Sequence, residues 1–123
     1  MILIIDDEPA VRATIARALS ELAYPVREAA TGEEGLASIA AERPDLVILD
    51  YVMPDMDGAE TARRIAETEP DLPIVFSTGH GALRALREAA GEGANVLEKP
   101  FTLAELDALL ARRLGTTPRL QSA

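Results

Sequence analysis

Leu46-Val47-Ile48-Leu49-Asp50 is an unbroken apolar run that closes on a carboxylate. Side chains of a strand alternate between its two faces, so a run apolar on both predicts a central strand of a parallel sheet covered by helices on either side. Met1–Ile5 has the same character and ends in Asp6-Asp7. Pro25 precedes a short strand at Val26–Ala29, Pro73 introduces another at Ile74–Ser77, and Asn95–Glu98 leads into Lys99-Pro100-Phe101.

Helical periods fill the intervals. Pro9 suits a first helical turn, followed by Val11, Ile15, Leu19 and Leu22 at helical spacing. Thr31-Gly32-Glu33-Glu34 predicts a capping box, opening a helix that turns Leu36, Ile39 and Ala40 inward and stops before Pro44. A third helix is expected from about Gly58 to Thr68 and a fourth from about Ala82 to Ala90. A second box, Thr102-Leu103-Ala104-Glu105, opens the last helix, which is expected to bury Leu103, Leu106, Leu110 and Leu114. Gly115 and Pro118 end it, and the tail 115–123 reads as loose. Five strands alternating with five helices predict an α/β, doubly wound parallel sheet with right-handed crossovers.

The bulk numbers agree with a single domain and narrow its partners. At 123 residues the chain can hold a core without disulfides or metals, and it has no cysteine to make a disulfide or a thiolate site. The apolar runs are too short to span a membrane, and no basic segment precedes an apolar one as in a secretory signal, so a cytoplasmic protein is expected. A formal charge of −9 repels phosphate backbones and anionic lipid, disfavouring nucleic acid and membrane as direct partners.

In doubly wound sheets the site lies beyond the carboxyl ends of the strands. There the sequence puts Asp6-Asp7, Asp50, Ser77-Thr78 and Glu98-Lys99. A single Asp at a strand end ordinarily caps a turn, and Thr78 alone would read as a turn residue. Three carboxylates on the strand ends of one sheet repel one another, however, and the usual remedy is a hard divalent cation with oxygen ligands. Mg²⁺ fits, because it takes one or two carboxylates, keeps several waters and shares phosphate oxygens. Lys99 is the one lysine among twelve basic residues. A compact ammonium suits a point contact to a phosphate, where the planar fork of Arg would need more room.

These residues resemble a known family. Ile4-Ile5-Asp6-Asp7-Glu8, Leu49-Asp50, Met53-Pro54-Asp55-Met56-Asp57-Gly58, Thr78-Gly79 and Lys99-Pro100-Phe101, in that order, are similar to the receiver domain of bacterial two-component response regulators. The resemblance covers residues 1–114. It implies a flavodoxin-like (βα)5 sheet in strand order 2-1-3-4-5. It implies that Asp50 accepts a phosphoryl group from a histidine kinase or phosphotransfer protein. It further implies that Asp7, Asp50 and the backbone carbonyl of Val52 bind Mg²⁺, with Asp6 acting through water. Thr78, the backbone amide of Gly79 and Lys99 would meet the phosphoryl oxygens, and the Lys99–Pro100 bond would be cis. The implied role is a phosphoacceptor signalling domain rather than an enzyme, assisting only its own phosphorylation and dephosphorylation. A downstream target or a second copy would dock on the 82–110 face.

Competing classes fare worse. An Mg²⁺-dependent hydrolase or phosphatase needs a second acid near its nucleophile, and Tyr51-Val52 supplies none. A phosphorylation-independent binding module would not need so complete a site, and a dinucleotide-binding domain lacks its Gly-rich loop, since Asp6-Asp7-Glu8-Pro9 stands in its place. Three settings stay open: a domain acting alone, a relay of phosphate, or a piece of a larger kinase. His80, the sole histidine, reads as a residue at the rim of the site.

Two positions depart from the family pattern, and the glycines add a third feature. Three residues before the lysine, where an aromatic often couples to the Thr, stands Val96. Two residues after Asp50, where a polar residue is frequent, stands Val52. Gly79, Gly81, Gly91 and Gly93 bracket the fourth helix, which is expected to be the least stable and to respond to phosphorylation. An apolar side chain at position 52 should order an attacking water poorly. Val52→Asn is therefore expected to shed phosphate faster than the parent in a dephosphorylation time course, and an unchanged rate would contradict this.

Overall fold

A computed structural model describes residues 1–54, 56–79 and 81–120; Asp55, His80 and residues 121–123 lie outside the described residues, and with them the reading of His80. The chain alternates β1 (Ile2–Ile5), α1 (Pro9–Glu21), β2 (Val26–Ala29), α2 (Gly32–Ala41), β3 (Leu46–Asp50), α3 (Gly58–Thr68), β4 (Ile74–Thr78), α4 (Leu83–Ala90), β5 (Val96–Glu98) and α5 (Leu103–Leu114). The strands form one parallel sheet in the order β2-β1-β3-β4-β5, as the resemblance implies.

Every residue of β1 and β3 is buried, the outcome expected of runs apolar on both faces. Alternation sends Ile2, Ile4 and Ile48 to one side, where they meet Ile15 and Leu19 of α1 and Leu106 and Leu110 of α5. Leu3, Ile5, Val47 and Leu49 face the other side, against Ile39 of α2, Ile65 of α3 and Leu86 of α4. The short edge strands β2 and β5 are only partly covered.

Local chemistry sets the helix starts. Thr102 and Glu105 form the complete expected box: the Glu105 N–H donates to the Thr102 hydroxyl at 3.1 Å, and the Thr102 N–H to the Glu105 carboxylate at 3.2 Å. At Thr31 the hydroxyl accepts from the Glu34 N–H at 3.0 Å, but the Glu34 carboxylate returns to that hydroxyl rather than to the Thr31 amide. Asp57, not foreseen as a cap, accepts from the Glu60 N–H at 2.8 Å and opens α3.

Two packing details differ from the sequence reading. Ala40 is exposed, because α2 seats on Ile39 and brings Gly32 and Gly35 against the sheet and α3 instead. In α5, Leu103 and Leu114 are only half-buried, whereas Asp107, Leu109 and Ala111 join Leu106 and Leu110 inside. Asp107 is buried because its carboxylate accepts the backbone N–H groups of Arg119 at 2.8 Å and Leu120 at 2.7 Å. The Arg119 guanidinium then lies 3.7 Å over the Tyr24 ring and donates to the carbonyls of Leu22 and Ala23 at the end of α1. Within the tail that the sequence presents as loose, Arg119 and Leu120 thus carry specific contacts. Losing a carboxylate that satisfies two amides costs about 1–3 kcal/mol. Asp107→Ala is expected to lower the unfolding free energy by that amount in urea titrations, with an unchanged slope.

Candidate functional site

The register of the sheet assembles the site. Ile5 pairs with Leu49 across β1 and β3, so the next residues, Asp6 and Asp50, leave the sheet side by side; Asp50 is in turn in register with Ser77 of β4. Asp6, Asp7 and Asp50 each offer a carboxylate oxygen within 4.8 Å of the others. Asp6 is 1 % exposed and Asp50 7 %, which removes most of the water that would screen their repulsion.

Lys99 answers that repulsion. Its Nζ lies 3.4 Å from Asp6 Oδ2 and 3.7 Å from Asp50 Oδ1. The lysine is aimed by its backbone, whose N–H donates to the Thr78 carbonyl at 2.7 Å at the end of the β4–β5 pairing. The Lys99–Pro100 peptide is cis, as expected. One ammonium does not balance three carboxylates. Burial first, and then the neighbouring Asp6, push the Asp50 carboxyl up from 3.8 to about 6; Lys99 and a hydrogen bond from the Val52 backbone act in the opposite direction.

The cluster opens into a cleft lined by Asp7, Asp50, Val52, Met53, Gly79 and Lys99. Val52 stands at its mouth with 60 % of its surface exposed, and Met53 is buried. Thr78 is fully buried; among the described residues its hydroxyl makes only a long 3.4 Å contact to the Gly79 carbonyl, which leaves capacity for a better acceptor. Glu98 is exposed and stands apart from the three-carboxylate group. The donor set suits a hard divalent cation: all oxygen, excess negative charge, and open to the cleft on one side.

Several supporting contacts have no sequence signal. The Glu8 N–H donates to Asp6 Oδ1 at 2.9 Å and turns that carboxylate, while Arg12 reaches back from α1 to the Asp6 carbonyl at 2.7 Å and to Glu28 at 3.1 Å. The buried Ser77 hydroxyl beside Asp50 has no hydrogen-bond partner among the described residues. Gly58 is required by close approach: a Cβ there would lie 2.6 Å from the Tyr51 Cα and 2.7 Å from the Asp50 carbonyl oxygen. The Gly58 N–H donates to the Tyr51 carbonyl at 2.8 Å, closing the loop that follows β3.

Comparison with known proteins agrees with this geometry. The family model of the response regulator receiver domain matches residues 2–111. The response regulator MprA of Mycolicibacterium vanbaalenii is 42% identical over 119 residues, covering 95% of this chain and 52% of the relative. MprA of Mycobacterium ulcerans is 40% identical over 117 residues, covering 94% and 50%. The chain spans about half the length of the curated relatives it matches. Among solved structures, the receiver domain of NtrX from Brucella abortus superposes with a TM-score of 0.88 at 33% identity, over 95% of this chain and 100% of that one. A response regulator receiver domain protein from Clostridium thermocellum gives 0.85 at 32% identity, over 93% of each.

The raised Asp50 carboxyl has a consequence for stability. Between pH 3.8 and about 6 the folded chain keeps a proton that the unfolded chain has released, so this group's contribution falls as the pH rises through that window. Above it the charged form carries a constant cost of about 2–3 kcal/mol. Asp50→Asn is expected to be more stable than the parent by that order at pH 7 in chelator, with the advantage shrinking toward pH 4, as read from urea melts across the range.

Proposed function

Since the chain belongs to the response regulator receiver-domain family, we propose that it accepts a phosphoryl group on Asp50 from a phosphohistidine of a kinase or phosphotransfer protein, in the cytoplasm. The observation that carries this reading is the group of three carboxylate oxygens within 4.8 Å, beside a lysine 3.7 Å from Asp50.

An Asp50 carboxylate oxygen attacks phosphorus, the P–N bond to the donor imidazole breaks, and the nitrogen leaves with the bonding pair. Phosphoryl transfer asks little covalent chemistry of the protein and depends on position and on positive charge around the equatorial oxygens. Asp7, Asp50 and the Val52 carbonyl would hold Mg²⁺ in this reading, with Asp6 acting through water. When bound, the ion supplies charge neutralisation for the phosphoryl oxygens. Lys99 pairs with one of those oxygens, and the Gly79 amide and the Thr78 hydroxyl donate to others. The product is an acyl phosphate of charge about −2 in place of one carboxylate, a temporary mark. The chain acts as a signalling domain whose chemistry is confined to its own Asp50, and the 82–110 face is the surface we assign to a downstream target or a second copy.

Support comes from the pairing of a scarce lysine with the acceptor, from the spare capacity of the buried Thr78 hydroxyl, and from the excess negative charge that a divalent ion relieves. Incubation with acetyl phosphate and Mg²⁺ followed by intact-mass measurement is expected to add a single phosphoryl group. The addition should vanish in Asp50→Ala and in chelator. A gain that persists in either would overturn the assignment.

A further inference from the structure

Tyr51 follows Asp50 directly and reaches across to α4. Its backbone is gripped twice: its N–H donates to the Ser77 carbonyl at 3.0 Å, and its own carbonyl accepts from Gly58 at 2.8 Å. Its ring meets Phe76 edge-on, with centroids 6.2 Å apart and planes at 79°. Its hydroxyl donates to the Ala85 carbonyl, in the first turn of α4, at 3.2 Å. A side chain adjacent to the acceptor, with a fixed root, is thereby tied at its tip to a helix.

That helix has few other anchors. Leu86 is its only buried residue, and its N-cap position, Ala82, has no side-chain capping bond among the described residues. Gly81 and Gly91 flank it with positive φ, 96° and 95°. A cleft lined by Ala59, Ala62, Phe76, Ala89 and Ala90 separates it from α3. At the position three before Lys99, Val96 lies in register with Phe76 on the same face, and a β-branched side chain of this size has neither the reach nor the rotamer freedom of an aromatic.

We propose that Tyr51 is the tether that restrains α4 beside Asp50, its hydroxyl holding the helix in the unphosphorylated position through Ala85. The inference rests on the phosphoacceptor reading of Asp50. Phosphorylation draws Thr78 and Gly79 toward the new oxygens while Tyr51 stays clamped by Ser77 and Gly58. The displacement of Gly79 is carried to α4, and the bond from Tyr51 to Ala85 breaks. Tyr51 is a positioning residue: it touches no reacting atom and acts through the helix it holds.

Tyr51→Phe keeps the ring on Phe76 and removes only the hydroxyl. Hydrogen exchange of residues 83–90 is to be measured in the parent and in the variant, with and without acetyl phosphate and Mg²⁺. The unmodified variant is expected to exchange on the order of fivefold faster in α4, the worth of one net hydrogen bond. Residues 2–5 and 46–50 should be unaffected, which a general loss of stability would not allow. Phosphorylation should accelerate α4 in the parent and add little in the variant. Equal α4 exchange in the two unmodified proteins, or acceleration spread through β1 and β3, overturns the proposal. Absence of the phosphoryl mass in the parent overturns the acceptor reading instead, and is seen in the mass spectrum independently of the exchange comparison of the unmodified proteins.

Discussion

The pairing of β1 with β3 is the constraint from which the rest of the molecule follows. Two apolar runs lie in parallel register, Ile2 with Leu46 through Ile5 with Leu49, and both are buried on each face. That register sets the two helical layers, since alternate residues of the same strands feed opposite cores. It also leaves Asp6 and Asp50 emerging together from the sheet, where like charges in a dry setting are costly. The apolar fold thus creates an electrostatic problem at one end, and the residues gathered there, Lys99 above all, are the partial answer to it.

The sequence exposed this logic unevenly, and the reason lies in the range of each interaction. Leu46–Asp50 and Met1–Ile5 declare themselves because burial on both faces demands an unbroken apolar run. Thr102 and Glu105 are legible because a capping box is complete within four residues. Asp6, Asp7 and Asp50 could be grouped because strand ends in a parallel sheet share one edge. Lys99 stood out by its scarcity.

What escaped were contacts whose two halves are far apart in the chain. Nothing near Asp107 announces that it will bind the amides of residues 119 and 120, and nothing near Tyr24 announces a guanidinium above its ring. Tyr51 gave no sign that its hydroxyl would meet a carbonyl 34 positions later. The outward turn of Ala40 was missed for a different reason. A periodic pattern fixes the face of a helix only to within a residue, and the close approach of Gly32 and Gly35 rotates α2 to the position actually taken.

The surroundings of Tyr51 also give the chain an optical property. It has no tryptophan and two tyrosines, so its ultraviolet emission comes from two rings without a stronger acceptor to drain either. One, Tyr51, is hydrogen-bonded to α4 and follows Asp50 directly; the other, Tyr24, lies beneath Arg119 at the end of α1. The two fluorophores occupy separate corners in chemically distinct settings. Light absorbed by the native chain therefore reads out the Asp50 end of the sheet and the Arg119 corner, without an attached dye.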